Sequence, residues 1–399
     1  MEFQKKVLDN GLTVLFEKRD VPVTTVMLAA KFGSAYESEE EKGMAHFMEH
    51  LCFKGTKKRT TQEIAEEVER LGGDLNAFTH EEVTAYHVRL PSEHLETAMD
   101  VIFDIYFNAQ FPEEEVSKEC QVICEEIKMY KDNPRHYVLD SIKKSLYEAP
   151  FGLNIAGSES NVRAMSRDML FSKHQKVYVP KNSVLVVVGN NDFEDVVRFA
   201  EELTPETSGE SLEVPKIILK KNVSSESRKG IVQTNLALGF HFPFQNERGE
   251  YAAEVFSSIL GNGMSSKLFK EVREKRGLVY GVKSEQDVGK HYGYLVIWAG
   301  TDKSKEEEVI RVCLDEFSKM KDITEEELAE AKIQLIGNRH VSSESSSDVA
   351  VSLIMEEISG DAKDYYLFED KINSVTLTEV RELSEKTEHS LFSLGPEEE

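Results

Sequence analysis

Gly43-Met44-Ala45-His46-Phe47-Met48-Glu49-His50-Leu51-Cys52-Phe53 is a helix-length stretch with two unlike sides. At the helical period Met44, Phe47, Met48 and Leu51 share one side, and His46, Glu49, His50 and Phe53 share the other. His46 and His50 lie four residues apart, so their imidazoles project from consecutive turns toward one point. Glu49 stands beside them. Two neutral nitrogens plus a carboxylate kept free of the metal suit a hydrolytic zinc ion, which needs fixed ligands, an open position and a base for water. The same spacing would also serve a plain polar stripe on an amphipathic helix, so the rest of the chain has to decide.

The chain has 399 residues, 40% hydrophobic and 30% charged, which predicts a globular protein of about two domains. No apolar run reaches membrane-spanning length, and Met1-Glu2-Phe3-Gln4-Lys5-Lys6 does not open a signal-peptide core, so a cytoplasmic location is expected. A formal charge of −25 argues against nucleic acid and anionic membrane as partners. Cys52, Cys120, Cys124 and Cys313 form no CxxC pair and read as small core residues.

The hydrophobic pattern predicts strands around Thr13–Phe16 and Thr24–Phe32, then the histidine helix, then a helix over Thr61–Leu71 capped by Thr60. Asp74–Thr79 and Val83–Leu90 read as paired strands. Helices are expected over Ser92–Phe107, Pro112–Asp132 and Phe193–Leu203, with a buried strand at Ser183–Gly189. A polar Pro/Ser/Glu/Lys stretch follows, and the plan then repeats. Asn235–Phe242 matches Val26–Gly33, and Ile323-Thr324-Glu325-Glu326-Glu327 matches Phe111-Pro112-Glu113-Glu114-Glu115. The pattern therefore predicts an α+β fold of two similar αβ domains related by internal duplication, each a mostly antiparallel sheet covered by helices. Shifted by about 210 residues, His46, Glu49 and His50 fall on Phe256, Ile259 and Leu260. The second copy keeps the helix pattern and lacks the candidate ligands.

A third ligand is sought on the helix Pro112–Asp132. Its apolar residues Val116, Cys120, Ile123, Ile127 and Tyr130 span about 20° to 100° when Glu119 defines 0°. Glu126 falls at about −20°, while Glu125, at about 240°, points to solvent. Glu119 and Glu126 thus border the inward stripe, where a carboxylate is costly unless paired or on a metal. A salt bridge at the core margin would explain them as well as a ligand role.

His46-Phe47-Met48-Glu49-His50, followed 76 residues later by Glu126, resembles the insulinase/pitrilysin zinc metallopeptidases, the inverzincins. It is most similar to the half-length subgroup that includes mitochondrial processing peptidase. The resemblance extends over Asp9-Asn10-Gly11-Leu12, His46–Thr56, Gly72–Thr79, Glu125–Tyr130, Gly263–Phe269 and Arg273–Tyr280. It implies that His46, His50 and Glu126 bind one zinc ion per chain, with Glu119 orienting a ligand histidine and Glu49 as general base. It further implies that Arg273 and Tyr280 stabilise the tetrahedral intermediate, Arg276 being the competing arginine. Asn76, Ala77, Phe78 and Thr79 would bind an extended or unfolded peptide as an added strand. On this reading residues 1–208 form the catalytic zinc-binding domain, 209–225 a linker, and 226–399 a metal-free domain. Full-length relatives close four such domains around a chamber, so a homodimer is expected, with Arg273 and Tyr280 serving the partner's zinc. The competing expectation is a non-catalytic scaffold or partner subunit of the same fold.

Overall fold

The computed structural model describes residues 2–207 and 212–397, so residues 209–211 of the expected linker lie outside the described residues. The strands are β1 (Glu2–Val7), β2 (Thr13–Lys18), β3 (Val23–Ala30), β4 (Asp74–Thr79), β5 (Thr84–Pro91) and β6 (Ser183–Gly189). They are followed by β7 (Val223–Arg228), β8 (Thr234–His241), β9 (Val279–Val288), β10 (Gly293–Thr301) and β11 (Ser390–Pro396). One sheet has the order β1-β2-β6-β3-β5-β4 and the other β7-β11-β8-β10-β9. In the first sheet only β2 and β6 run parallel, and in the second only β7 and β11. From β2 and β7 outward the two orders match strand for strand, and β1 is an addition. The α+β duplication read from the sequence is therefore present in the topology itself.

Every residue of β6, Ser-Val-Leu-Val-Val-Val-Gly, is buried, as a central strand flanked on both edges demands. β4 is an edge strand with half-exposed side chains. β7, Val-Ser-Ser-Glu-Ser-Arg, has almost no apolar content, and its polar edge position explains why the expected linker overran it as far as Ser225. The compact units also differ from a single cut at 209–225. One comprises 1–127, 154–215 and 342–365, and the other 128–153, 216–341 and 366–399. Helix Pro134–Leu146 packs on β8 and β11 of the second unit, and helix Ser346–Ser359 on β3 and β6 of the first. These partners are too distant in sequence for local periodicity to reveal.

The two helices central to the site both form where expected. The histidine helix spans Met44–Cys52, burying Met44, Phe47, Met48 and Leu51, and the glutamate helix spans Glu113–Asp132. Gly43 starts the histidine helix at φ 100°, and its N-terminal amides are answered from outside. The Glu37 carboxylate accepts from the Gly43 N–H at 3.1 Å and from the Ala45 N–H at 2.6 Å. The matching helix of the second unit, Glu250–Gly261, also starts from a left-handed glycine, Gly249 at φ 96°. Matching the two glycines corrects the expected equivalences, because the connector before the second helix is shorter. His46, Glu49 and His50 correspond to Ala252, Val255 and Phe256, all buried, rather than to Phe256, Ile259 and Leu260.

A Cβ on Gly43 would lie 2.6 Å from the Ala156 carbonyl oxygen, on top of the strain of its positive φ. Gly43→Ala is expected to lower stability on the order of 2–3 kcal/mol. Thermal unfolding checks this, and an unchanged melting temperature would mean that the helix start relaxes freely.

Candidate active site

The histidine helix and the glutamate helix bring three side chains to one point. The ligand-type atoms of His46, His50 and Glu126 all lie within 4.8 Å of one another. Glu126 Oε2 is 3.8 Å from His46 Nε2 and 3.6 Å from His50 Nε2. These distances are too long for hydrogen bonds. They approach the separation of about 3.4 Å between two ligands on a tetrahedral ion with bonds of about 2.1 Å. Glu126 Oε2 and His46 Nδ1 are buried without a hydrogen-bond partner. A buried carboxylate oxygen facing two imidazole nitrogens with no proton donor is the arrangement a divalent metal ion completes.

Glu119 does not join this cluster but holds one member of it. His50 Nδ1 is 2.9 Å from Glu119 Oε2, and Lys54 Nζ is 2.8 Å from Glu119 Oε1. The carboxylate accepts, so neutral His50 carries its proton on Nδ1 and turns the Nε2 lone pair toward Glu126. Burial works against the charged Glu119, but the hydrogen bonds from His50 and Lys54 prevail and hold its carboxyl below the usual range. The geometry thus separates the two acids that helical angles alone left equivalent.

Glu49 lies on the same face of the helix, and its Oε2 accepts from the Thr79 hydroxyl at 2.6 Å. Burial raises the Glu49 carboxyl above its ordinary value, and Glu126 adds to this, while Thr79 and His50 oppose it. Thr79 belongs to β4. Across the hairpin His80 N–H donates to the Val83 carbonyl, so alternate residues Asn76 and Phe78 bond to β5 and Leu75, Ala77 and Thr79 turn their backbone groups to the open edge. The Ala77 N–H is held by the Asn76 side chain at 2.8 Å. Sequence reading missed two features here: that Thr79 reaches Glu49, and that Lys54 reaches Glu119. The second had a signal, since Lys54 stands one turn beyond His50 on the same stripe.

Arg273 and Tyr280 belong to the second unit, whereas the His46, His50 and Glu126 cluster belongs to the first. Arg273 is exposed on the π-helical segment Phe269–Lys275 and stacks over Phe269 at 4.7 Å. Tyr280, on β9, is 61% exposed. Arg276, the competing arginine, is paired with Glu271 at 3.0 Å.

The cluster has the donor set of a metal site, and comparison with known proteins gives the family of the chain that carries it. The description "Insulinase (Peptidase family M16)" matches residues 13–159, and "Peptidase M16 inactive domain" matches residues 164–335. A protein of Rickettsia felis named an uncharacterized zinc protease is 37% identical over 342 residues, covering 84% of this chain and 82% of the relative. The uncharacterized zinc protease YmxG of Bacillus subtilis is 33% identical over 346 residues, covering 85% and 84%. A crystal structure of a protease from Helicobacter pylori has the same fold, with a TM-score of 0.92 at 23% identity over 99% of this chain and 100% of that one. The chain belongs to the insulinase family, peptidase family M16. Among the described residues no helix is long and apolar enough to cross a membrane.

The two histidines differ in how they compete with a metal. Burial, reinforced by the neighbouring His50, pushes His46 down to about 4. Burial also works downward on His50, but the Glu119 hydrogen bond and the charges of Glu126 and Glu49 outweigh it and raise His50 above the ordinary histidine value. In the metal-free protein His50 is therefore the proton-binding ligand, and its protonated form is favoured until pH rises through that raised value. Metal affinity is expected to fall by about one decade per pH unit below it, since one proton is displaced. Chelator-competition titrations between about pH 8 and 5 check this. A fall of two decades per unit throughout would show that His46 is not held neutral.

Proposed function

We propose that this chain is a zinc-dependent endopeptidase that hydrolyses extended or unfolded peptides. The observation that carries the reading is the convergence of His46 Nε2, His50 Nε2 and Glu126 Oε2, with Glu49 held beside them by Thr79 of an open edge strand. Zinc supplies Lewis acidity, acidifying water and polarising a carbonyl. His46, His50 and Glu126 would hold it, and Glu119 fixes the tautomer of His50.

An extended peptide pairs with the outward backbone groups of Leu75, Ala77 and Thr79, gaining affinity with little demand on sequence. Pairing at Ala77 displaces the Asn76 side chain from its N–H. Folded proteins are excluded because their backbones are already paired. Glu49, its carboxyl raised by burial, takes the proton of the attacking water and returns it to the leaving amine. Thr79 links the two events, its backbone facing the peptide and its hydroxyl fixing the carboxylate.

The proposal extends to a homodimer in which Arg273 and Tyr280 of one chain serve the zinc of its partner and stabilise the developing oxyanion. The exposure of both residues supports this, as does their place in the unit that contributes no residue to the His46, His50 and Glu126 cluster.

Glu49→Gln is expected to retain one zinc per chain and to lose about 100-fold or more in peptide cleavage. Zinc analysis and cleavage-site mapping on a mixed peptide library check this, and undiminished cleavage would refute the assignment of the base. For the trans arrangement, Glu49→Gln and Arg273→Ala chains are mixed under subunit exchange. Recovered cleavage is the expected outcome, and verified heterodimers without activity would rule out the shared site.

A further inference from the structure

His46, His50 and Lys54 follow one another at four-residue intervals and form a single stripe along the histidine helix and its continuation. Glu119 and Glu126, seven residues apart, form the facing stripe on the glutamate helix. The two stripes mesh in antiparallel order. His46 and His50 meet Glu126, and His50 and Lys54 meet Glu119. Lys54 and His50 divide the Glu119 carboxylate between them, Nζ at 2.8 Å from Oε1 and Nδ1 at 2.9 Å from Oε2.

That division has a mechanical meaning. The terminal torsion of a glutamate is broad, so a carboxylate held at one oxygen still swings. A second donor on the other oxygen fixes its plane. An exposed lysine–carboxylate pair contributes little, but the Glu119 side chain is only 7% exposed. The duplicated unit offers an internal control. The counterpart of Lys54 there is Leu260 and that of Glu119 is Ala331, both buried, so lysine and carboxylate are absent together where the ligands are absent.

We propose that Lys54 is a positioning residue of the metal centre: by holding Oε1 of Glu119 it fixes the oxygen that receives His50 Nδ1–H, and so aims His50 Nε2 toward His46 and Glu126. The proposal rests on the reading that His46, His50 and Glu126 hold zinc, and it adds a residue that no ligand contact would reveal.

The test measures zinc affinity by competition with a chromophoric chelator on the full-length chain, with metal-free thermal melts confirming that each variant is folded. Lys54→Met is expected to weaken zinc binding about 10- to 100-fold, the usual cost of removing such an outer partner. Lys54→Arg, which keeps a cationic donor, recovers most of that loss. Lys54→Met combined with Glu119→Gln binds no more weakly than Glu119→Gln alone, because the lysine acts through that carboxylate. Should Lys54→Met not fold, Lys54→Gln takes its place, with the same weakening and the same non-additivity expected. Wild-type affinity in the folded lysine variant overturns the role of Lys54 and leaves the metal centre standing. Additive losses in the double variant also overturn it. If the wild-type chain binds no stoichiometric zinc, both the proposal and the reading beneath it fall.

Discussion

Two carboxylates enter the margin of an apolar core on one face of the glutamate helix, and the site is organised by how each charge is answered. A buried carboxylate without a partner is too costly to persist. Glu119 is answered by protons, one from His50 and one from Lys54. Glu126 is answered by none. Its inward oxygen faces two imidazole nitrogens at 3.6 and 3.8 Å, one of which presents a lone pair whenever His50 is neutral. Two acids on one helical face thus meet different surroundings, one answered by the protein's own donors and the other with an inward oxygen left without one.

The remainder of the fold keeps that confrontation in place. Glu37 satisfies the first amides of the histidine helix, so its start needs no capping side chain of its own. The close backbone approach at Gly43 sets where that start lies. Edge strand β4 then brings Thr79 to Glu49, so the strand suited to receive a peptide also holds the acid that would act on it.

Much of this was legible in the sequence where the signal is periodic. The amphipathic split of the histidine helix and the inward angles of Glu119 and Glu126 both follow from a 3.6-residue repeat, and the structure bears them out. Which of the two acids faces the histidines was not legible from angles, because the answer depends on how two helices far apart in the chain lie together. Lys54 went unread because a lysine just past a helix end is ordinarily solvated. The first half of β7 reads as linker because a polar edge strand has no apolar alternation, and β11, which pairs with it, lies more than 160 residues downstream. The duplication was visible from matching segments, but its register near the histidines was not, since connector length is invisible to pattern matching.

The segments that change unit, 128–153 and 342–365, each begin in the C-terminal part of the same helix in their own copy, within Glu113–Asp132 and at the end of Glu325–Ser342. Each covers equivalent strands, β8 with β11 and β3 with β6. Each half of the chain therefore surrenders the same piece and receives the same piece, the pattern of a domain-swapped dimer written into one polypeptide. A gene split between the copies would strip a helix from both sheets. The copy without the candidate ligands therefore supplies the helix that covers β3 and β6 of the copy that has them.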